Sequence, residues 1–181
     1  MAGVVRTRVG YCGGTLKDPT YHNLGDHNES IQVDYDPTKL TYGQILDRIW
    51  VSHNPCGTAW SRQYMSAIFY DGEAQKKAIL ESKARMEQKL GRAVKTAVLP
   101  LTTFWLAEDS HQKYELRSTA DLMKEFKILF PNEKDFVNST AAARVNGYIG
   151  GQGTAQQLKS EIDLLGLSDE GKKRLQAYVT R

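Results

Sequence analysis

The chain has 181 residues and a net charge of +3 at pH 7, and 40% of its residues are hydrophobic and 25% charged. These values are typical of a globular domain large enough to bury a core without covalent cross-links. They exclude a disulfide scaffold, because there are only two cysteines, and no apolar run approaches the roughly 20 residues that a membrane-spanning helix needs.

The first hundred residues predict alternating strands and helices. The predicted strands lie at 4–11, 30–35, 66–70 and 93–99, and the predicted helices at 42–53 and 73–90. Thr41 and Gln44 have the spacing of a capping box at the start of the first helix, and Gly91 is a natural stop for the second. In the second strand, strict alternation predicts a half-buried face formed by Ile31, Val33 and Tyr35. This order of elements predicts an α+β or α/β fold.

The remainder of the chain predicts a helical extension. A helix is predicted at 119–129. The capping box of Thr154 and Gln157 predicts the start of a second helix, and Ser168 the start of a third that ends at about residue 179. A glycine-rich loop is predicted at 147–153. We therefore expect a first domain at residues 1–115 and a mostly helical C-terminal extension at residues 116–181.

Four stretches, in order along the chain, form a recognisable pattern. They are residues 3–11 with Gly13 and Gly14, residues 19–21 followed by 25–30 and 33–37, Gln63 and Tyr64 with 66–70, and residues 99–100 with Phe104 and 107–114. In their shared order and spacing they resemble the peptide methionine-(S)-sulfoxide reductase family. The resemblance covers the first two thirds of the chain well and the rest weakly, through residues 144–148.

The resemblance implies a specific oxidoreductase reaction on methionine sulfoxide, free or in proteins. A thiolate attacks the sulfoxide sulfur and becomes a sulfenic acid, which a second thiol and ultimately thioredoxin reduce. The oxygen needs a carboxylic acid that points at it and hydroxyl donors that hold it. The implied role is repair of oxidised proteins under oxidative stress, with an external thiol reductant and with neither a metal nor an organic cofactor.

Three residues match the family's oxygen-binding positions. By resemblance, Glu29 is the acid, and Tyr21 and Tyr64 are the hydroxyl donors. From composition alone, Glu29 is an ordinary solvated charge at a strand edge. The two tyrosines have the equally ordinary alternative of half-buried rings with solvated hydroxyls.

The sequence departs from the family pattern in three places. The family's nucleophile lies in a Gly-Cys-Phe-Trp segment, and Met1 stands where the connection to that segment is expected. Ala59 lies near the position of a family aspartate, and no cysteine follows Tyr148. We therefore expect a ferredoxin-like two-layer α/β sandwich without its first strand and helix, and a chain that begins at an internal methionine of a longer protein.

Cys12 and Cys56 are the candidates for a substitute nucleophile. An attacking cysteine needs a lowered pKa, which a helix N-terminus or a nearby cation provides. Neither neighbourhood shows this clearly, although Arg62 lies near Cys56 in sequence and Trp60 could supply an apolar contact. Inert, buried or half-buried thiols are the favoured interpretation of both.

The leading hypothesis is thus a thiol-dependent reductase, and the alternative is a catalytically inactive member that binds methionine sulfoxide or a protein partner. The basic residues of the helix at 73–90 are mixed with glutamates, which indicates a solvated face rather than a nucleic-acid interface. We expect neither nucleic acid nor a membrane as a partner. The first residues contain no apolar signal region, so the cytoplasm is the expected location, with a targeting segment upstream of Met1 as the alternative.

Overall fold

The computed structural model describes residues 1–180. Its strands are β1 (Val4–Cys12), β2 (Asn28–Tyr35), β3 (Ala67–Tyr70), β4 (Ala97–Pro100) and β5 (Trp105–Leu106). Its helices are α1 (Tyr42–Ser52), α2 (Glu73–Leu90), α3 (Tyr114–Arg117), α4 (Ala120–Leu129), α5 (Glu133–Asn138), α6 (Thr140–Ile149), α7 (Ala155–Glu161) and α8 (Asp169–Val179). The predicted α+β class is confirmed.

The described strands form two sheets. One has three strands in the order β2-β1-β5, in which β1 and β5 run antiparallel with Gly10 opposite Leu106. The other pairs β3 with β4 in parallel, from Ala67 opposite Ala97 to the ends of both strands. Parallel neighbours need a long crossover connection, and α2 provides it, so β3, α2 and β4 form one βαβ unit.

The start of α1 follows directly from its sequence. The side chain of Thr41 accepts the Gln44 backbone N–H, and the Gln44 side chain accepts the Thr41 backbone N–H, which completes the predicted capping box. The helix buries Leu46 and Trp50 against α2. The indole Nε1 of Trp50 donates a 2.7 Å hydrogen bond to the Ser82 hydroxyl, which satisfies both buried polar groups where the two helices meet.

The predicted strand at 93–99 begins later than expected, at Ala97. The backbone N–H of Val94 donates to the Glu87 carboxylate at 2.9 Å. The N–H groups of Lys95 and Thr96 both donate to the carbonyl of Pro55, at 2.7 and 3.3 Å. These donors bond loops and side chains instead of a neighbouring strand, so the ladder starts only after them.

The predicted buried face of the second strand is wrong at Ile31. This side chain is 62% exposed, whereas Val33 and Tyr35 are half-buried. Asn28 is fully buried and Glu29 exposed, so the polar side chain faces inward at this end of β2. The Asn28 side-chain amide donates to the backbone carbonyls of Arg62 and Met65, which makes this burial possible. An apolar-polar pattern does not reveal hydrogen bonds to residues so distant in sequence.

Two compact units account for the described chain. A mixed unit comprises residues 9–30 and 37–107, and a helical unit comprises residues 1–8, 31–36 and 108–180. The core of the helical unit is formed by side chains of α3 to α8 and the turns between them, with Leu116, Leu122, Phe126, Val145 and Leu175 fully buried. The division into residues 1–115 and 116–181 stays a prediction.

The helical unit contains three helices, α3, α5 and α6, that were not predicted. The side chain of Asn132 caps α5, and the Ser139 hydroxyl accepts the Ala142 N–H at the start of α6. α6 also extends to Ile149, so the glycine-rich loop predicted from residue 147 begins later than expected. Helix α7 ends at Glu161 and is followed by a 3-10 turn at Ile162–Leu164.

Within residues 1–180, no helix has both the length and the apolar character needed to cross a bilayer. The cytoplasmic location inferred from the sequence stays a prediction.

Candidate active site

The loop between β1 and β2 is organised by a buried histidine. His27 is only 1% exposed. Its Nδ1 accepts the Gly14 backbone N–H at 3.2 Å, and its Nε2 lies 2.8 Å from the carbonyl of Leu16. Because Nδ1 accepts a hydrogen bond, the ring proton is on Nε2, which donates to Leu16. The ring therefore joins the two ends of the loop.

Asp26 holds the same loop from its other side. Its carboxylate accepts the Thr15 N–H at 2.7 Å, the Thr15 hydroxyl at 3.1 Å and the Leu16 N–H at 3.4 Å. The hydrogen bond from the Thr15 N–H is the largest cause that lowers the pKa of Asp26 to about 2. Gly14 is required here, since a Cβ on it would lie 2.5 Å from an Asp26 carboxylate oxygen.

Tyr21 lies at the tip of this loop, in a tight turn. The backbone N–H of Thr20 donates to the carbonyl of Asn23 at 3.2 Å, and the reverse bond is 3.0 Å. The Tyr21 side chain is 41% exposed, while Leu24, next along the chain, is buried in a small core with Tyr11. The turn therefore presents the phenol to solvent from a fixed base.

The segment before β3 is held against the start of β2 by Asn28. Its side-chain amide donates to the carbonyls of Arg62, at 2.6 Å, and Met65, at 3.3 Å. The Arg62 guanidinium in turn donates to the carbonyls of Asp26, at 2.6 Å, and Gly13, at 3.1 Å. These bonds bring three separate stretches of the mixed unit together.

Glu29, Tyr64 and Tyr21 meet at this point. The Glu29 N–H donates to the Gln63 carbonyl at 3.1 Å, and the Gln63 side-chain amide donates to the Glu29 carboxylate. The hydroxyls of Tyr64 and Tyr21 are hydrogen-bonded to each other. Burial raises the pKa of Tyr64, and Tyr21 and the Glu29 charge raise it further. The three side chains that the sequence singled out thus form one polar cluster.

An exposed indole adjoins the cluster. Trp60 is 85% exposed, and its ring centroid lies 5.2 Å from that of Tyr64 with the planes inclined at 43°. Two phenols, a carboxylate and an indole therefore share one surface of the mixed unit.

The chain matches a family model over most of its length. The family described as peptide methionine sulfoxide reductase matches residues 1–145. The chain belongs to this family. A second model, described as the helical domain of selenoprotein methionine sulfoxide reductase A, matches residues 131–176.

Named relatives and solved structures agree with this assignment to the reductase family. A Drosophila melanogaster peptide methionine sulfoxide reductase is 37% identical over 168 residues, which cover 92% of this chain and 67% of that protein. The MsrA protein of Methanococcoides burtonii is 42% identical over 123 residues, which cover 62% of this chain and 80% of that protein.

Among solved structures, methionine sulfoxide reductase A of Corynebacterium diphtheriae aligns with a TM-score of 0.55 and 29% identity over 65% of each chain. Reduced Mxr1 of Saccharomyces cerevisiae aligns with a TM-score of 0.58 and 25% identity over 65% of this chain and 73% of that one. The chain thus spans about two thirds of the length of several relatives. Family and relatives support methionine sulfoxide reduction, an oxidoreductase activity, over a catalytically inactive member.

The two cysteines of this reductase-family chain lie in different environments. Cys12 is 1% exposed, and its thiol donates to the Ser30 hydroxyl at 3.1 Å. Burial raises the pKa of Cys12, which is the opposite of what an attacking thiol needs. Cys56 is half-buried and packs against the core formed by α1 and α2, and its N–H donates to the Asn54 side chain.

The supporting residues Asp26, His27 and Asn28 have no role assigned from the sequence, and Arg62 enters there only as a cation near Cys56. The available signal was the polar run Gly-Asp-His-Asn-Glu directly before a strand, which departs from apolar alternation where a strand should begin. A buried polar group must find hydrogen-bond partners, so such a run indicates a loop that folds onto other backbone. Among residues 1–180, no group of three or more His, Cys, Asp or Glu side chains is arranged to hold a metal ion.

Proposed function

We propose that Tyr21, Glu29 and Tyr64 bind and protonate the sulfoxide oxygen of methionine-(S)-sulfoxide, free or within a protein. The observation that supports this most directly is the pair of hydrogen bonds that joins Glu29 to Gln63, the residue before Tyr64, together with the hydrogen bond between Tyr64 and Tyr21. A sulfoxide oxygen carries partial negative charge and accepts hydrogen bonds. Two hydroxyl donors and one acid are the groups that stabilise such an oxygen as its bond to sulfur breaks.

In the proposed reaction a thiolate attacks the substrate sulfur while Glu29 supplies a proton to the oxygen. The sulfur–oxygen bond breaks, the oxygen becomes the hydroxyl of a cysteine sulfenic acid, and methionine is released. Two further thiol groups, ultimately those of thioredoxin, reduce the sulfenic acid to the thiol and become a disulfide, with release of water. Repair of oxidised proteins under oxidative stress is the proposed role.

The proposal assigns oxygen binding and protonation to these three residues. In the family the attacking cysteine belongs to a Gly-Cys-Phe-Trp segment, a pattern that does not occur in residues 1–181. Cys12 is buried with a raised pKa, and Cys56 packs against a core. Their surroundings support the interpretation of both as structural thiols.

Calorimetric titration of the chain with acetyl-methionine sulfoxide amide, as separate S and R epimers and as the sulfide, tests the proposal without requiring turnover. We expect the S sulfoxide to bind more tightly than both others. Tyr21→Phe and Tyr64→Phe each remove one donor and should weaken sulfoxide binding roughly 2- to 10-fold while leaving sulfide binding unchanged. Tyr114→Phe, at an exposed tyrosine of the helical unit, is the matched control.

Equal affinity for sulfoxide and sulfide would refute the proposal, as would unaltered selectivity in both tyrosine variants. Turnover with dithiothreitol as reductant tests the thiols separately. Loss of turnover in Cys56→Ser or Cys12→Ser, with substrate binding retained, would identify that residue as the nucleophile and overturn its structural interpretation.

A further inference from the structure

Trp60 exposes more of its side chain than any other large apolar residue described. Its 85% exposure leaves nearly the whole indole in water. Tryptophan has one of the largest apolar surfaces and is usually mostly buried. A ligand that covers this exposed indole therefore gains the free energy of removing apolar surface from water. Tryptophan is also enriched among the residues that dominate binding at interfaces.

The ring nevertheless has an aromatic neighbour and a supported backbone nearby. It contacts Tyr64 at 5.2 Å between centroids. The backbone that carries both residues is hydrogen-bonded to Asn28 through the carbonyls of Arg62 and Met65. A side chain on a supported segment loses less conformational entropy when a ligand binds to it. The indole is therefore an exposed apolar surface on a segment that is already ordered before a ligand binds.

The indole adjoins the oxygen-binding cluster through its contact with the Tyr64 ring. When the sulfoxide oxygen binds the Tyr64 hydroxyl, the Trp60 ring stays available to the side chain of a residue next to methionine sulfoxide in the peptide. Neighbouring side chains of a peptide branch from Cα atoms 3.8 Å apart, and the Trp60 and Tyr64 ring centroids are 5.2 Å apart, so both rings are within the span of two neighbouring side chains. A side chain that neighbours methionine sulfoxide in a peptide can thus reach the indole, and free methionine sulfoxide has no such side chain.

We propose that Trp60 binds an apolar side chain adjacent to methionine sulfoxide in a peptide, so that the site favours peptide-bound substrate with an apolar neighbour. This rests on the proposed function, since it takes the sulfoxide oxygen to lie at Tyr64. The apolar class follows from the exposed indole face, which offers area and dispersion contacts to an aliphatic group.

Calorimetric titration with capped tripeptides tests the inference. Methionine sulfoxide is placed between two glycines, or with leucine on its N-terminal or C-terminal side, and each peptide is also made as the sulfide. We expect one leucine peptide to bind roughly five- to tenfold more tightly than the glycine peptide. Trp60→Ala should abolish that preference, and Trp60→Phe should retain most of it. Val51→Ala, at an exposed apolar residue of α1, should change nothing.

Two outcomes overturn the inference: a leucine preference that survives Trp60→Ala, or equal weakening of glycine and leucine peptides, which would mean that the indole contacts the methionine side chain itself. Circular dichroism and thermal unfolding of Trp60→Ala verify that the variant is folded. Failure of the proposed function looks different. Sulfide and sulfoxide peptides would then bind equally, while the leucine preference would still depend on Trp60.

Discussion

Glu29 and Gln63 bind each other through both backbone and side chain. The Glu29 N–H donates to the Gln63 carbonyl at 3.1 Å, and the Gln63 amide donates to the Glu29 carboxylate. Because Tyr64 directly follows Gln63 in the chain, these two hydrogen bonds fix the position of the Glu29 carboxylate relative to the Tyr64 phenol. The acid and the hydroxyl donor of the proposed site are therefore positioned by one shared contact.

Gln63→Leu removes the amide donor and keeps the backbone bond. Without the amide the Glu29 carboxylate can rotate away from the phenols, so we expect sulfoxide affinity to fall roughly 2- to 10-fold. Calorimetry on Gln63→Leu, Glu29→Gln and the double variant measures this. Additive losses in the double variant would contradict a positioning role, because coupled residues lose their shared contribution only once.

The Tyr64 phenol should ionise at a higher pH than an ordinary tyrosine. Burial raises its pKa, and Tyr21 and the negative charge of Glu29 raise it further. Because the carboxylate disfavours the phenolate, Glu29→Gln should lower the pKa of Tyr64, as should Tyr21→Phe. The difference between near-ultraviolet absorbance titrations of each protein with and without Tyr64→Phe gives the titration of this phenol alone. An unchanged pKa of Tyr64 in Glu29→Gln would show that the Glu29 carboxylate does not act on this phenol, which contradicts the proposed cluster.

Asp26 should stabilise the fold in a defined acidic range. Its pKa falls from 3.8 to about 2, first because of the Thr15 N–H. A lowered pKa means that its contribution is complete above about pH 4 and disappears as the pH falls towards 2. The difference in urea midpoint between the native protein and Asp26→Asn should therefore shrink across that range. A difference that stays constant would show that the carboxylate charge does not hold the loop.

The two thiols should differ in reactivity. Cys12 is buried and its pKa is raised, whereas Cys56 is partly accessible. We expect iodoacetamide to modify Cys56 first and Cys12 only on unfolding. Mass spectrometry of the native protein, with Cys12→Ser and Cys56→Ser as references, distinguishes the sites. Rapid native modification of Cys12 would contradict its assignment as a structural thiol.

Lys113 should make the protein more stable at alkaline pH. Its ammonium is buried in the helical unit and donates to the carbonyls of Thr7 and Val137. Burial, with Arg8 and Arg117 nearby, lowers its pKa from 10.5 to about 8. The unfolded chain therefore binds more protons between those values, and stability rises with pH there.

Relative to Lys113→Met, the unfolding free energy of the native protein should increase by up to about 3 kcal/mol from pH 7 to pH 10.5. Denaturant titrations at several pH values measure this. A difference that falls across the interval would mean that the ammonium is better stabilised in the folded state than in the unfolded chain.

The sequence alone determined the elements whose signals are local. Thr41 with Gln44 predicted the start of α1, Gly91 predicted the end of α2, and Ser168 predicted the start of α8. Capping residues and a glycine with positive φ act through hydrogen bonds and backbone sterics within a few residues. Such signals are readable without knowledge of the rest of the chain.

Only the tertiary structure decided the features that depend on distant partners. Residues 94–96 do not extend β4, because Glu87 and Pro55 take their N–H groups. Ile31 is exposed because the polar side chain of Asn28 is buried at the same end of β2. In both cases distant hydrogen bonds outweigh the local pattern, since an unpaired buried polar group costs more than an exposed apolar one.

The candidate site divides in the same way. The resemblance to the family singled out Tyr21, Glu29 and Tyr64, but they lie on three stretches that are separate in sequence. Their convergence depends on the side-chain amide of Asn28 and the guanidinium of Arg62, which bond distant backbone carbonyls. Hydrogen bonds between segments far apart along the chain have no local sequence period, so the structure alone supplied them.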